Sequence, residues 1–359
     1  MRRTRVAFFF ALLAVGSTVV ADDSPATLDI YFIDVDGGAA TLLVTPDRES
    51  ILIDSGWPGF AGRDAKRIEY VVKTVAKLDH IDYLITTHWH RDHFGGVENL
   101  VKLVKVEQFL DRGLPDPTKP DGDKLAFPDG PFAEDPLGIA YRKASEGKRK
   151  SLLAGDRLPL KGKIEGLVLA SGGKVLPAPE SSKPNPACET APADLPEDTS
   201  DNAKSLAFRF RLGQFNFFDA GDLTWNVEKQ LVCPTDRVGS VDLYQVTHHG
   251  LNNSSHPTLL KTLAPTVAIM NNGPKKGGSP ETVKRLKALP SIQAAYQLHK
   301  NAATTAEQNT ESELIANSEP VGGEFIHVSV KPDGSSYSVQ VGTSGKPRTF
   351  HSFGRARVG

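Results

Sequence analysis

The sequence predicts an α/β sandwich made of two halves, each of which runs from strands to helices. Apolar, β-branched runs of strand length alternate with segments of helical periodicity, and this order occurs in both halves of the chain. The 359 residues show no internal repeat of fixed short period, and their 39% hydrophobic and 24% charged content is typical of a globular protein with a sizeable core. We therefore expect a single large domain over residues 22–359.

The first half opens with a predicted hairpin, because apolar and β-branched residues flank the Gly37-Gly38 turn. The run ESILIDSG predicts a third strand ending near Asp54. Residues 64–78 have apolar residues at helical spacing with Lys and Arg on the other face. IDYLITT then predicts a buried strand that ends at HWHRDHFGG, and a short helix around 97–104 precedes the strand VEQFL.

Residues from about 113 to 200 differ in composition from the rest. They are rich in Pro, Asp, Lys and Ser, which predicts a Pro-rich, loop-rich insertion lying over one face of the sandwich. Within it, AGDRLPLKGKIEGLVLASGG has the pattern of a pair of short strands.

Regular structure returns with the alternating run KSLAFRFRLGQFNFFDAGD, which predicts two strands. Helices are expected at about 225–232, 257–263 and 280–289, separated by the apolar strands VDLYQV, TVAIM and AAYQLH. The tail, EFIHVSVKPDGSSYSVQV, predicts a C-terminal β-hairpin around Asp333-Gly334.

The N-terminus has the three parts of a secretory signal peptide. Arg2, Arg3 and Arg5 precede an apolar stretch, and small residues lead to a cleavage site after Ala21. The alternative is a membrane anchor, but the apolar run is shorter than the ~20 residues that a bilayer span needs. The sequence therefore predicts a secreted or periplasmic protein whose first 21 residues are removed, with no membrane segment afterwards.

Charge and cysteine content narrow the class of partner. Without the signal peptide, 39 basic and 43 acidic residues remain, so the formal charge moves from −1 to −4. Proteins that grip long nucleic acids usually show a basic surface, and this chain has no such bias. Cys188 and Cys233 would meet oxidising conditions after export, so they form either a disulfide or two unpaired thiols.

Metal-ligand residues are concentrated directly after predicted strands. THWHRDHFGG places His88, His90, Asp92 and His93 within six residues, where alternate His88 and His90 could hold one ion and Asp92 with His93 a second. The alternative is a His-rich surface loop, which the preceding buried strand argues against.

Two further clusters follow later strands. The carboxylate of Asp222, after an aromatic strand, could bridge two metals. His248 or His249 could complete the second site, and we favour His248 because it leaves the strand end first.

The motif HWHRDH resembles the H-x-H-x-D-H signature of the metallo-β-lactamase superfamily. IDVDGGAATLL, ILIDSG, DNAKSLAFRF, DAGD and VTHHGLNNSS resemble the ComEC-like metallo-hydrolase branch. The resemblance implies an αββα sandwich with two divalent metal ions, zinc above iron or manganese, in a cleft between the sheets. It implies that the first ion is held by His88 and His90, the second by Asp92, His93 and His248, and both by a bridging Asp222. Asp54 would support the ligand loop.

The chain departs from the family pattern at three places. Many members have another first-metal histidine before the strand that precedes the bridging Asp, but here that region reads SDNAKSL, so the first ion would have an open position or use Asn202. IDVDGGAA lacks the Gln and Asp of the branch's opening, and GPKKGGSPET lacks histidines. The last two differences concern the substrate more than the metals.

The predicted chemistry is hydrolysis by a two-metal site, with Asp92 and Asp222 as the catalytic carboxylates. The branch resemblance favours a phosphodiester, whose oxygens Lys275-Lys276 and the Asn/Ser run at 252–255 could contact unless both are ordinary solvated loops. A small-molecule lactone, β-lactam or other ester or amide remains an alternative substrate. A further alternative is a non-catalytic secreted binding protein with a degenerate metal site. The sequence leaves the oligomeric state open.

Overall fold

The computed structural model describes residues 26–116, 118, 124–178, 181–319 and 321–353. The predicted signal peptide, residues 1–21, lies outside the described residues. Among the described residues, no helix has the length and apolar character needed to cross a membrane.

The described residues form two mixed β-sheets, with strands numbered along the chain. The first sheet has nine strands, in the spatial order β17 (Arg348–His351), β16 (Ser336–Val341), β15 (Ile326–Val330), β1 (Leu28–Phe32), β2 (Thr41–Val44), β3 (Ser50–Ile53), β4 (His80–Thr86), β5 (Lys105–Asp111) and β6 (Arg149–Ser151). The second has eight, in the order β14 (Ile315–Asn317), β13 (Ala294–His299), β12 (Val267–Met270), β11 (Leu243–Gln245), β10 (Phe215–Asp219), β9 (Ala207–Leu212), β7 (Ile164–Ser171) and β8 (Lys174–Val175).

Helices cover the outer faces of both sheets. They are α1 (Arg63–Glu69), α2 (Arg91–Phe94), α3 (Val97–Leu100), α4 (Pro136–Ser145), α5 (Trp225–Val232), α6 (Pro257–Leu263) and α7 (Pro280–Lys287). The helix predicted over 64–78 is observed as α1 continued by a π-helical segment, Tyr70–Val75.

Three buried apolar layers hold the fold together. The central layer lies between the sheets and joins residues such as Ile30 and Ile85 to Phe210 and Phe217. One outer layer packs the first sheet against α1 to α4, and the other packs the second sheet against α5 to α7. Each sheet is therefore apolar on both faces, and the four layers form the predicted αββα sandwich.

The parallel strands explain where a site can form. β3 and β4 are parallel, and so are β10, β11 and β12. Loops at the carboxyl ends of neighbouring parallel strands share one edge of a sheet. Asp54, the HWHRDH loop, Asp222 and the two adjacent histidines all follow such ends.

The region predicted as an insertion contains more regular structure than its composition indicates. It holds α4, which begins at a Pro-containing first turn capped by the Asp135 carboxylate, and β7, an eight-residue strand that pairs with β9. The buried Ile164 and Val168 of β7 belong to the central layer. The short strands predicted within this region include β7, whereas prolines and glycines on either side of α4 hide that helix from pattern analysis.

The structure contains the predicted C-terminal hairpin and shows that the two cysteines are paired. β15 and β16 form the predicted hairpin, and β15 also pairs with β1, so the tail extends the first sheet. Cys188 and Cys233 form a disulfide with a Cα–Cα distance of 5.8 Å, which decides between the two alternatives left by the sequence. The bridge ties the segment before β9 to the end of α5.

Candidate metal centre

The loop that carries HWHRDH is fastened to the end of β3 by the buried Asp54. One carboxylate oxygen accepts hydrogen bonds from the Thr87 hydroxyl (2.8 Å) and from His93 Nδ1 (2.7 Å), and the other accepts one from the Thr87 amide (2.8 Å). The residue after Asp54 also binds the loop, because the Ser55 amide donates to the His93 carbonyl (2.7 Å). Asp54 therefore sets the orientation of the ligand loop.

The Gly37-Gly38 turn packs against the other side of this loop. The Ala39 amide donates to the Asp92 carbonyl at 3.1 Å. A Cβ on residue 38 would lie 2.5 Å from that carbonyl oxygen, which is closer than real Cβ contacts. Glycine at 38 thus lets the first hairpin approach the ligand loop closely.

Four buried side chains meet at the shared edge of the two sheets. Asp92, His93, Asp222 and His249 each offer one ligand atom, and these atoms lie within 4.8 Å of one another. His249 Nε2 lies 3.2 Å from an oxygen of Asp92, and it is also 3.2 Å from an oxygen of Asp222. Two imidazoles and two carboxylates so arranged are a donor set for a divalent ion.

The hydrogen bonds of His93 and His249 turn their Nε2 lone pairs toward this cluster. His93 Nδ1 faces the Asp54 carboxylate, and His249 Nδ1 faces the Asn271 carbonyl at 2.9 Å. Both partners can only accept, so each Nδ1 acts as a donor, and Nε2 is the ring nitrogen of each residue that faces the cluster and could bind a metal. This is the arrangement that metal-binding histidines usually show.

The structure places the two adjacent histidines differently from the sequence analysis. We favoured His248 as the partner of Asp92 and His93, but His249 occupies that position. His248 lies outside the four-residue cluster, and its Nε2 is 3.6 Å from the Asp222 carboxylate. The two residues have φ values of 55°, and this left-handed backbone separates their rings, whose centroids are 6.2 Å apart. Such strained residues concentrate at functional sites.

His88 faces the Asp222 carboxylate, as His248 does. Its Nε2 is 3.9 Å from the oxygen of Asp222, and it is a buried atom with no hydrogen-bond partner among the described residues. Its Nδ1 is 3.1 Å from the Thr87 hydroxyl, whose only proton is donated to Asp54. Nδ1 must therefore be the donor, and Nε2 is an unprotonated, unsatisfied nitrogen that a second cation would fit.

His90 is oriented by a residue that sequence reasoning missed. Its Nε2 donates to the Asp129 carboxylate at 2.9 Å, which leaves Nδ1 as the ring nitrogen that could bind a metal, although His90 lies outside the four-residue cluster. The ring lies beside His88, with centroids 4.7 Å apart. The Asp129 carboxylate also accepts a hydrogen bond from the Asp201 amide, and the Asp201 carboxylate accepts one from the Trp89 amide. Asp129 stands in the Pro-rich stretch, where nothing in the pattern distinguishes it from a surface carboxylate.

The buried carboxylates and histidines of the site shift one another's pKa values. Burial by itself raises the pKa of Asp222, but the histidines around it, His249 first, outweigh burial and hold that pKa well below its usual range. Burial lowers the pKa of His93, but Asp222 and the other nearby carboxylates hold it well above its usual range. Burial lowers the pKa of His248 to about 4, so this ring is neutral at neutral pH.

Lys276 brings a positive charge to the mouth of the site. Its ammonium group pairs with the Asp92 carboxylate and lies 5.2 Å from the centre of the Trp57 ring. The lysine side chain is 31% exposed, whereas that of Asp92 is 8% exposed. Lys276 therefore links the buried ligands to the solvent-facing surface.

Replacing Asp54 by Asn should weaken metal binding without removing a ligand. Asn tolerates the left-handed backbone at this position (φ 62°) and can still accept the Thr87 amide, but its NH₂ group would face the Nδ1 proton of His93. We expect metal affinity to fall about 10–100-fold, the usual range for a residue that orients a ligand, as measured by chelator competition. Asp82→Asn, near the start of β4, is the control, and equal affinity in the two variants would contradict this role.

Comparisons with known proteins find similarity over part of the chain. Residues 33–168 match the family model of the metallo-beta-lactamase superfamily. A Beta-lactamase-like protein 2 homolog from Caenorhabditis elegans is 34% identical over 90 residues, and the match covers 21% of this chain and 28% of the relative. The chain thus spans less than a third of the length of this curated relative.

Similar solved structures include a mutant of the CmlA beta-hydroxylase (16% identity, 77% of this chain and 53% of that chain, TM-score 0.44). They also include a metallo-beta-lactamase mutant from Cronobacter sakazakii (14% identity, 72% and 71%, TM-score 0.32). The family match covers residues 33–168, which contain the HWHRDH loop, so this part of the chain is similar to the metallo-beta-lactamase superfamily, and the αββα sandwich is consistent with that family's fold.

Proposed function

We propose that this protein is a secreted hydrolase that works with two divalent metal ions, zinc by preference, on a phosphodiester substrate. The observation that carries the proposal is that four imidazole nitrogens surround one oxygen of the Asp222 carboxylate. Nε2 of His93 and His249 lie 3.2 Å from it, and Nε2 of His248 and His88 lie 3.6 and 3.9 Å from it. A carboxylate so placed is suited to bridging two ions.

The donor atoms fit such ions. All are imidazole nitrogens or carboxylate oxygens, which suit zinc as well as iron and manganese, and the Cys188–Cys233 disulfide leaves no described thiol to compete. Two ions of this kind supply Lewis acidity, which activates a water molecule and offsets the negative charge that develops on the attacked group.

The chain's own residues supply orientation and charge. Asp54 fixes His93, Asp129 fixes His90, and the Asn271 carbonyl fixes His249, so the ligands need little rearrangement to bind. The Asp92 carboxylate, which stays ionised, can accept a hydrogen bond from the attacking water and direct it.

Two residues at the mouth of the site support an anionic substrate. The ammonium group of Lys276 stands where it can contact a phosphate oxygen, and the half-buried Trp57 offers a ring face to a base or sugar. The chain's slight negative charge favours a short substrate over long nucleic acid.

Export is supported by the N-terminal sequence and by the disulfide. Disulfides such as Cys188–Cys233 persist in oxidising compartments, and the predicted signal peptide would direct the chain to such a compartment. N-terminal sequencing of the exported protein should begin near Asp22, whereas an intact Met1 in a membrane fraction would contradict export with cleavage.

A substrate panel tests the function. Metal-free protein should regain, on addition of zinc, the ability to hydrolyse bis(p-nitrophenyl) phosphate, while nitrocefin and an acyl-homoserine lactone should not be cleaved at comparable rates. Preferential cleavage of the lactone or the β-lactam would replace the phosphodiester assignment. Two bound ions with no hydrolysis of any of the three classes would count against the proposal and favour a metal-loaded binding protein.

A further inference from the structure

The first metal site has a gap in its sequence motif. The family that the sequence resembles implies a third histidine in the segment that here reads SDNAKSL, which contributes Asn202 and no imidazole. In the structure this segment forms a short 3-10 helix, Asp201–Lys204, directly before β9, and Asn202 is buried beside the candidate metal centre. The question is which side chain takes the place of the missing histidine.

His248 is directed toward that place. Its Nε2 lies 3.3 Å from the Asn202 side-chain nitrogen and 3.6 Å from the Asp222 carboxylate. By contrast, the distances that define the four-residue cluster include His249 and exclude His248. His248 therefore contacts Asp222 and Asn202, and it is not a member of the cluster that Asp92 and His93 form with His249.

The hydrogen bonds of His248 prepare its Nε2 for a metal. Its Nδ1 lies 3.2 Å from the Ser254 hydroxyl, and that hydroxyl donates its only proton to the Leu223 carbonyl at 2.8 Å. The serine oxygen can then only accept from His248, so Nδ1 carries the proton and Nε2 keeps its lone pair. His88 is prepared in the same way by Thr87, and its Nε2 is unpartnered among the described side chains.

We propose that His248 supplies the third imidazole of the first metal site, so that the adjacent residues His248 and His249 bind different ions. The left-handed backbone at both residues is what allows one dipeptide to present its rings to two positions around Asp222. This inference rests on the proposed two-ion function and adds to it the ligand that the family motif lacks here.

Metal stoichiometry tests the assignment. Metal-free protein is reconstituted with cobalt(II) or zinc, desalted, and measured by elemental analysis and by cobalt(II) absorption. The variants are His248→Asn and His249→Asn, because Asn tolerates the left-handed backbone and lacks the imidazole. Wild-type protein should hold two ions, each single variant one, and His248→Asn with His249→Asn none. The two single variants should differ in their cobalt spectra, since each retains a different ion.

A double variant identifies the site that His248 serves. His88→Ala with His248→Asn should still hold one ion, because both changes fall on the same site. Loss of both ions in that double variant, or two ions in His248→Asn alone, would overturn the inference. Loss of one ion in Asn202→Ala together with two in His248→Asn would assign the position to Asn202 and would also overturn it.

Two controls test whether a lower metal content has a cause other than the loss of a ligand. His351→Asn, an exposed histidine on β17, should hold two ions, and circular dichroism in chelator should show every variant folded. Wild-type protein that binds no ion would refute the proposed function itself, whereas two ions in wild type and in His248→Asn would refute only the role of His248.

Discussion

Asp222→Ala is expected to lose both metal ions and essentially all hydrolytic activity. Among the described carboxylates, that of Asp222 lies against His93 and His249 and also against His88 and His248. Lewis-acid metals contribute several kcal/mol to the stabilisation of the transition state, so activity should fall by about 1000-fold or more. Elemental analysis after reconstitution and the rate of phosphodiester hydrolysis measure the two effects.

Asp219→Asn is the matched control for this change. Asp219 is also buried at the end of β10, but it lies outside the four-residue ligand cluster, and one of its oxygens accepts the Gly221 amide at 2.9 Å. Burial raises its pKa to about 7, so Asn is close in shape and charge to its neutral form. This variant should keep two ions. If Asp222→Ala kept either ion at wild-type affinity, the bridging role would be refuted.

Replacing both cysteines by serine should lower the free energy of unfolding by about 4 kcal/mol. The disulfide joins Cys188 to Cys233 across a sequence separation of 45 residues, and closing a loop of that length restricts the unfolded chain by about this amount. In the native fold the bridge reinforces other contacts between the same segments, since the Asn185 side chain donates to the Val232 carbonyl and the Thr262 hydroxyl.

Denaturant unfolding of the double serine variant measures this loss. Wild-type protein in reductant is the control and should unfold at the same denaturant concentration as the variant. Because neither cysteine belongs to the ligand cluster, the folded variant should keep its metal ions. Unchanged stability would show that the other contacts, and not the disulfide, hold this segment in place.

The fold class was predictable because most strands and most helices show their periodicity within a short window. The predicted helices at 225–232 and 257–263 agree with α5 and α6 to the residue. The same local method missed α4 and understated β7, because prolines, glycines and charged residues around them dilute the pattern. Their stability comes from packing, as when Tyr141 of α4 packs on Trp89 with ring centroids 4.9 Å apart.

The sequence by itself determined the donor types of the site and the strand ends that carry them. HWHRDH, Asp222 and the His248-His249 pair each follow an apolar strand, and that placement is local information. Only the tertiary structure decided where the rings of His248 and His249 lie around the Asp222 carboxylate. Which way each ring faces depends on backbone φ and on hydrogen-bond partners such as Ser254 for His248 and Asn271 for His249. The partners of the other ligands, Asp54 for His93 and Asp129 for His90, are 39 residues away along the chain, and no local pattern records contacts that only folding creates.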